Sequence, residues 1–340
     1  MTDPQLPLGF DPTDEPQTAQ PQAKPRVKPR RPLAPKAEVV LDMEAMAALL
    51  SNHPDYKVLR RLVPALHFDR VPQGPVQCVL VLDTETTGLD HSRDKIIELA
   101  LLRVHVDTAT GLPVGEVEVY DGLEDPGIPI SPEVQTITGI SNDMVKGQRL
   151  DEARIATMLE GADLVIAHNA GFDRPFCEAR IPAFMQLPWG CSFADIDWKK
   201  EGQGSAKLEY LAMEKGWFYD AHRAEMDCHA LLAVLGDILP SSGRTGLATI
   251  IEASRRPAFR LQATRAPFEA KDLLKARAYR WNAEQKVWYT RLVDEAQLIA
   301  EYDWLKSTVY AGRSASVQVE KMEAGVKYSN RVGELSNTQI

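Results

Sequence analysis

Cysteine is scarce in this 340-residue chain, and no two of the four form a C-x-x-C pair. Cys78, Cys177, Cys191 and Cys228 therefore offer neither a disulfide framework nor a zinc site, and a reduced cytoplasmic setting is expected. Uncharged apolar runs approaching the ~20 residues that span a bilayer are missing too, so no membrane partner is expected. The first residues lack the apolar core of a secretory signal and are polar and proline-rich instead. An excess of positive charge is also lacking: the formal net charge is −9, which does not advertise nucleic-acid binding.

That balance is uneven along the chain. Residues 255–291 hold ten Lys/Arg against three Asp/Glu, a local net charge of +7. Residues 1–36 carry nine prolines and no periodic apolar pattern, which predicts a disordered tail. Within it, residues 1–20 have four acids and no Lys/Arg, and residues 21–36 have six Lys/Arg and no acid. Residues 37–75 read as a helical extension, with one helix over 37–50 and a second, short one around Tyr56–Leu62. Residues 76–240 read as one α/β domain. Its strands are expected at Cys78–Leu82, Ile96–Val106, Glu116–Tyr120 and Asp163–His168, and its helices at 171–180, 206–215 and 223–237. A linker at 241–262, a small basic α+β module at 263–311 and a loose polar tail at 312–340 complete the plan.

Three short segments carry chemistry. In Asp83-Thr-Glu-Thr-Thr-Gly88, Asp83 and Glu85 stand two apart at a strand end and so project to one face. Adjacent carboxylates repel and persist mainly when they share hard cations; the alternative is a solvated strand edge. His168-Asn-Ala-Gly-Phe-Asp173 follows an apolar strand, where ligands bind in open α/β sheets, although Asn169 or Asp173 could equally cap the next helix. In His222-Arg-Ala-Glu-Met-Asp227, Asp227 lies beside a buried stripe of Ala230, Leu231 and Val234, as a helix-surface residue or a metal ligand. His222 precedes that helix, either as an ordinary loop residue or as a proton acceptor that works near neutral pH.

Together, in this order and spacing, the three segments closely resemble the three motifs of the DEDDh exonuclease family, the group that includes the proofreading epsilon subunit of bacterial DNA polymerase III. The resemblance runs from Cys78 to about Leu239, and Pro129–Val145 also looks like the family's segment between motifs one and two. Thr138 stands there where the family often has histidine. The resemblance implies a ribonuclease-H-like fold, a mixed five-stranded sheet flanked by helices. It implies that Asp83, Glu85, Asp173 and Asp227 hold two divalent cations, Mg²⁺ or Mn²⁺, and that His222 is the general base. Four carboxylates supply the oxygen ligands such ions prefer, and two ions can serve both ends of an in-line displacement. Thr84, Thr86, Glu98 and Asn169 are candidates for contacting the terminal nucleotide, with a strand-face ion pair as the alternative for Glu98. The expected activity is 3′→5′ exonuclease on DNA ends in proofreading or repair. An RNA-trimming enzyme of the same fold and a non-catalytic tether are the rivals.

Two further patterns lie outside that domain. Trp281-Asn282 and Lys286-Val-Trp-Tyr289 look like a small module appended to DNA-associated enzymes. Its tryptophans read as a core pair or as base-stacking platforms. Gln5-Leu-Pro-Leu-Gly-Phe10 resembles the peptide by which bacterial replication proteins bind the sliding clamp, with Gln5, Leu6, Leu8 and Phe10 as anchors. The clamp and DNA polymerase III are thus candidate partners beside DNA.

Overall fold

The computed structural model describes residues 42–340, which fall into two units divided between Asn52 and His53. The clamp-like peptide and the proline-rich tail lie outside the described residues. Of the first unit, α1 (Met43–Ser51) is described. Asp42 caps it by accepting from the backbone N–H of Glu44 and Ala45, and none of its residues is buried.

The second unit opens with β1 (Arg60–Arg61), β2 (His67–Phe68), β3 (Val76–Thr86), β4 (Ile96–Asp107) and β5 (Leu112–Leu123). After α2 (Pro132–Thr138), α3 (Asn142–Val145) and α4 (Glu152–Leu159) come β6 (Leu164–Ala167), α5 (Ala170–Arg180) and β7 (Trp189–Cys191). Next follow α6 (Ser192–Asp195), α7 (Leu208–Glu214), β8 (Trp217–Phe218), α8 (Ala224–Gly236) and α9 (Gly246–Ser254). The chain ends with β9 (Ala258–Ala263), α10 (Lys271–Ala276), β10 (Arg280–Asn282), β11 (Val287–Leu292), α11 (Glu295–Trp304), β12 (Ser316–Met322) and β13 (Glu334–Gln339).

The main sheet is mixed and ribonuclease-H-like, in the order β2-β5-β4-β3-β6-β7. It has six strands where five were expected, because the two-residue β2 pairs onto the free edge of β5. β3 is central, antiparallel to β4 and parallel to β6. Its alternation decides everything that follows. Val79 and Val81 face one core with Leu231, Leu235 and Ile250, from α8 and α9. Leu80 and Leu82 face the other, with Ile155, Phe176 and Phe184 on the α4–α5 side. Successive side chains on a strand point to opposite faces. Asp83 and Glu85 therefore continue the α8 face, and Thr84 and Thr86 the α5 face.

Three boundaries differ from expectation. The helix expected at Tyr56–Leu62 is replaced by β1, because Arg60 and Leu62 donate their backbone N–H to the carbonyls of Gly216 and Phe218 beside β8. The expected linker contains α9, whose Leu247, Ile250 and Ile251 are buried, and β9. The expected loose tail contains β12 and β13, which complete a second sheet ordered β10-β11-β9-β12-β13. Periodicity missed these strands because they are short, polar on one face, and joined by a segment with no apolar pattern.

That connecting segment clasps the first domain. Arg174 of α5 is completely buried, and its guanidinium donates to the carbonyls of Gly325 (2.6 Å), Lys327 (2.5 Å) and Leu187 (3.3 Å), and to Glu178 (2.7 Å). Ser329 and Arg331 donate to the same Glu178, and the Tyr328 hydroxyl donates to Asp195. Removing the cation of a buried, hydrogen-bonded ion pair costs about 3–5 kcal/mol; Glu178 keeps Ser329 and Arg331, but the carbonyls of Gly325, Lys327 and Leu187 lose the guanidinium donor. Arg174→Ala should therefore lower unfolding stability by about that much in urea titrations. A loss below about 1 kcal/mol, the size of an ordinary surface pair, would contradict the clasp.

Candidate active site

Three elements converge at the end of β3. Asp83 and Glu85 of β3 and Asp227 of α8 place carboxylate oxygens within 4.8 Å of one another. Asp173, in the first turn of α5, is buried on the opposite side, and its Oδ1 accepts a 2.8 Å hydrogen bond from the Thr84 hydroxyl. The strand alternation thus delivers Asp83 and Glu85 toward α8, and Thr84 toward α5. The Thr86 hydroxyl donates to the Gly88 carbonyl, closing the exit turn after a bulge at Glu85/Thr86.

The remaining predicted residues fall into distinct places. Glu98 is fully buried on β4, opposite Glu85. It accepts from Arg223 (2.7 Å) and from the backbone N–H of Ala224 (2.8 Å), so it anchors the start of α8 to the sheet. Asn169 occupies the N-cap position of α5 in a left-handed conformation (φ 65°), and its side chain makes no capping hydrogen bond. Asparagine tolerates that backbone better than most residues, and its amide stays free of the bland capping role. His222 is exposed on the loop before α8, also left-handed (φ 62°).

Two functional neighbours escaped sequence reasoning. The Tyr219 hydroxyl donates to Asp227 Oδ1 at 2.9 Å, while the Arg223 backbone N–H donates to Oδ2 at 3.2 Å. Tyr219 lies three residues before the third motif and gave no signal. Arg223 was legible as the one cation between His222 and Asp227, with a buried acid to pair.

The electrostatics follow from crowding. Burial, then repulsion from Asp173, Asp227 and Glu85, drives the Asp83 carboxyl far above the usual range. Burial and the neighbouring acids lift Glu85 to about 8. Burial raises Asp173 to about 7 against the opposing Thr84 hydrogen bond. Burial likewise raises Asp227 to about 6 against Tyr219 and His222. Oxygen-rich, mutually repelling and short of positive charge, this donor set fits hard divalent cations. The geometry also separates the two histidines. Burial pushes His168 down to about 4, leaving it neutral, and its Nδ1 bonds to Ser192 at 2.7 Å.

Residues 80–235 match the family model for exonucleases. This segment is similar to the exonuclease family. Curated relatives are similar to parts of the chain. The chain aligns at 40% identity over 101 residues with a DNA polymerase III PolC-type protein of Listeria welshimeri, covering 28% of this chain and 6% of that one. A PolC-type protein of Thermotoga maritima is 33% identical over 118 residues, 34% of this chain and 8% of the relative. The three-prime repair exonuclease 1 of Bos taurus is 32% identical over 205 residues, 48% of this chain and 64% of the relative. The chain thus spans a small fraction of its bacterial relatives. Among solved structures, Exonuclease X in complex with 5′ overhanging duplex DNA is 27% identical with a TM-score of 0.36, covering 51% of this chain and 98% of that one. A zinc-bound complex of E. coli Exonuclease I with single-stranded DNA is 17% identical with a TM-score of 0.42, covering 54% and 48%. No helix among the described residues is long and apolar enough to cross a membrane.

The raised carboxyls set a pH dependence for the metal-free protein. A carboxyl whose folded pKa exceeds its unfolded value stabilises the fold fully at acid pH, and that contribution is lost as pH rises through the folded value. Here the loss begins near the unfolded carboxyl values of about 4 and is complete by about 6 for Asp227 and about 8 for Glu85. His168 pulls the total profile the other way, so the informative quantity is the difference between Asp83→Asn and the parent. In EDTA, the variant's Tm should exceed the parent's at pH about 8, and the gap should narrow as pH falls and close only below about 4, where the carboxyls are protonated in the unfolded chain as well. A gap that is absent, or widest at acid pH, would contradict the crowding.

Proposed function

We propose that the chain is a metal-dependent 3′→5′ exonuclease acting on DNA ends, in replication proofreading or repair. The observation that carries this reading is the convergence of Asp83, Glu85 and Asp227 within 4.8 Å, with Asp173 buried alongside. In this reading the four acids hold two divalent cations, Mg²⁺ or Mn²⁺. Such cations, when bound, stabilise charge on both the attacking and leaving oxygens of an in-line displacement.

The chain's own residues divide the remaining work. His222, exposed at the edge of the cluster, accepts the proton of the attacking water on an imidazole nitrogen and passes it to solvent. Tyr219 and the Arg223 N–H fix the rotamer of Asp227, and the Glu98–Arg223 pair fixes the helix that carries it. The role of Glu98 is therefore one of positioning rather than of direct nucleotide contact. Thr84 orients Asp173, and Thr86 shapes the turn after Glu85. Asn169, whose side chain makes no capping bond at the start of α5, would contact the terminal nucleotide in this reading. The names of the PolC-type and three-prime repair relatives support DNA as substrate and the 3′ end as the point of attack. The same reading assigns Gln5, Leu6, Leu8 and Phe10 to the sliding clamp, with polymerase III nearby, in the cytoplasm.

The test is trimming of 3′-labelled single-stranded DNA, mismatched duplex and matched RNA. Trimming should require Mg²⁺ or Mn²⁺, stop in EDTA and favour DNA. Asp83→Ala or Asp173→Ala should remove nearly all of it, and His222→Ala should reduce turnover by roughly 10²–10⁴. Turnover by Asp83→Ala near the parent's, or His222→Ala within about threefold of it, would overturn the corresponding role.

A further inference from the structure

The second sheet has two unlike faces. Phe259, Leu261, Leu292, Val317 and Val319 form a core with Leu274 of α10 and Leu298 of α11. Residues directly opposite across an antiparallel pair share a face. The register Arg280↔Tyr289↔Gln262 and Arg291↔Arg260 therefore gathers three arginines and a tyrosine on the other face, away from that core. This face is not a solvated exterior. It forms one wall of a cleft of about 420 Å³, with Arg260, Arg280, Tyr289 and Arg291 on the sheet side and Gly171 and Asn330 across from them. Gly171 belongs to the first turn of α5, the turn that carries Asp173. No atom would meet a Cβ built there within 4 Å, so this part of the wall is bare backbone beside open space.

The arginines are presented together with aromatic faces. Arg260 lies over the Tyr289 ring (5.8 Å) and pairs with the buried Glu320 (3.0 Å), leaving its side chain 44% exposed. Arg291 lies over Tyr328 (4.1 Å), a residue of the clasp. Arg280 is exposed at the mouth. Guanidinium forks match phosphate oxygens, and the rings beneath Arg260 and Arg291 help to hold these forks in place. The clasp through Arg174, Glu178 and Asp195 holds the cleft against α5.

We propose that this cleft is a groove for the single-stranded stretch of nucleic acid that lies upstream of a 3′ end held at the carboxylates. The inference rests on the proposed function for where the strand ends, and it adds how the strand is held. The groove converts the second domain into a length sensor. Strands long enough to leave the active site and cross the arginine face are retained, and shorter ones are not.

Equilibrium binding with Ca²⁺ in place of Mg²⁺ tests this without turnover. Fluorescence anisotropy is read on oligothymidylates of about 4 and about 20 nucleotides over a salt series. The parent should bind the longer strand at least about tenfold tighter. Arg280→Ala/Arg291→Ala should remove most of that gain and flatten the slope of log affinity on log salt by about 1.4, two phosphates at about 0.7 each. Arg280→Glu alone, at an exposed position outside the clasp, should act in the same direction and guards against misfolding of the double variant. Lys275→Ala/Lys306→Ala removes equal charge from the helical layer on the opposite face and should keep the parental gain. No length gain in the parent, or equal losses in the two double variants, would overturn the groove. Because the readout is binding, either result is separate from a failure of metal-dependent trimming, which would strike the catalytic reading instead.

Discussion

The crowding of four carboxyls at the end of one strand is the constraint around which the rest is arranged. β3 cannot send Asp83 and Glu85 to one face without sending Thr84 and Thr86 to the other. The α8 side therefore receives two acids to add to Asp227, and the α5 side receives a hydroxyl that holds Asp173. Left alone, such a cluster is destabilising, and the raised carboxyl pKa values of the metal-free protein express it. The surroundings do not neutralise it. Arg223, the nearest cation in the third motif, is committed to Glu98, one strand over. The charge deficit is thus preserved at the site, and the cation beside it serves positioning.

A similar division of labour shapes the attachment of the second domain. Arg174 follows Asp173 immediately, yet it points away from the cluster, into the carbonyls of the segment between β12 and β13. One helical turn of α5 therefore serves two purposes, with an acid for the site and a cation for the clasp. The arginine face of the second sheet then lies across from that turn. The overall charge of −9 conceals this arrangement, because acidic residues elsewhere outnumber the local +7 of residues 255–291.

Much of this was legible in the sequence. The strands and helices carrying Asp83, Glu85, Asp173 and Asp227 have strong apolar signals and lie within a few residues of their expected bounds. Motif spacing pointed to the same four acids that the fold draws into one region. What periodicity could not reveal depended on partners distant in sequence. Glu98 looked equally suited to a nucleotide and an ion pair until Arg223 was seen beside it. The β12–β13 segment has too few apolar residues to predict, since carbonyls around Arg174 order it rather than a buried stripe. Trp281 and Trp288 proved to be a cross-strand pair with ring centroids 5.4 Å apart, Trp288 packed on the core and Trp281 half exposed.

The central claim is that the carboxylate cluster is built for divalent cations, and calorimetry of Mn²⁺ binding addresses it directly. Titrations at pH about 6.5, in buffers of different ionisation enthalpy, report both stoichiometry and proton release, because ligands must be deprotonated to bind. Saturable binding of two ions per chain with net release of protons is expected, both weakened in Asp227→Asn. Binding that releases no protons and is unchanged in that variant, or no saturable binding at millimolar Mn²⁺, would contradict the claim.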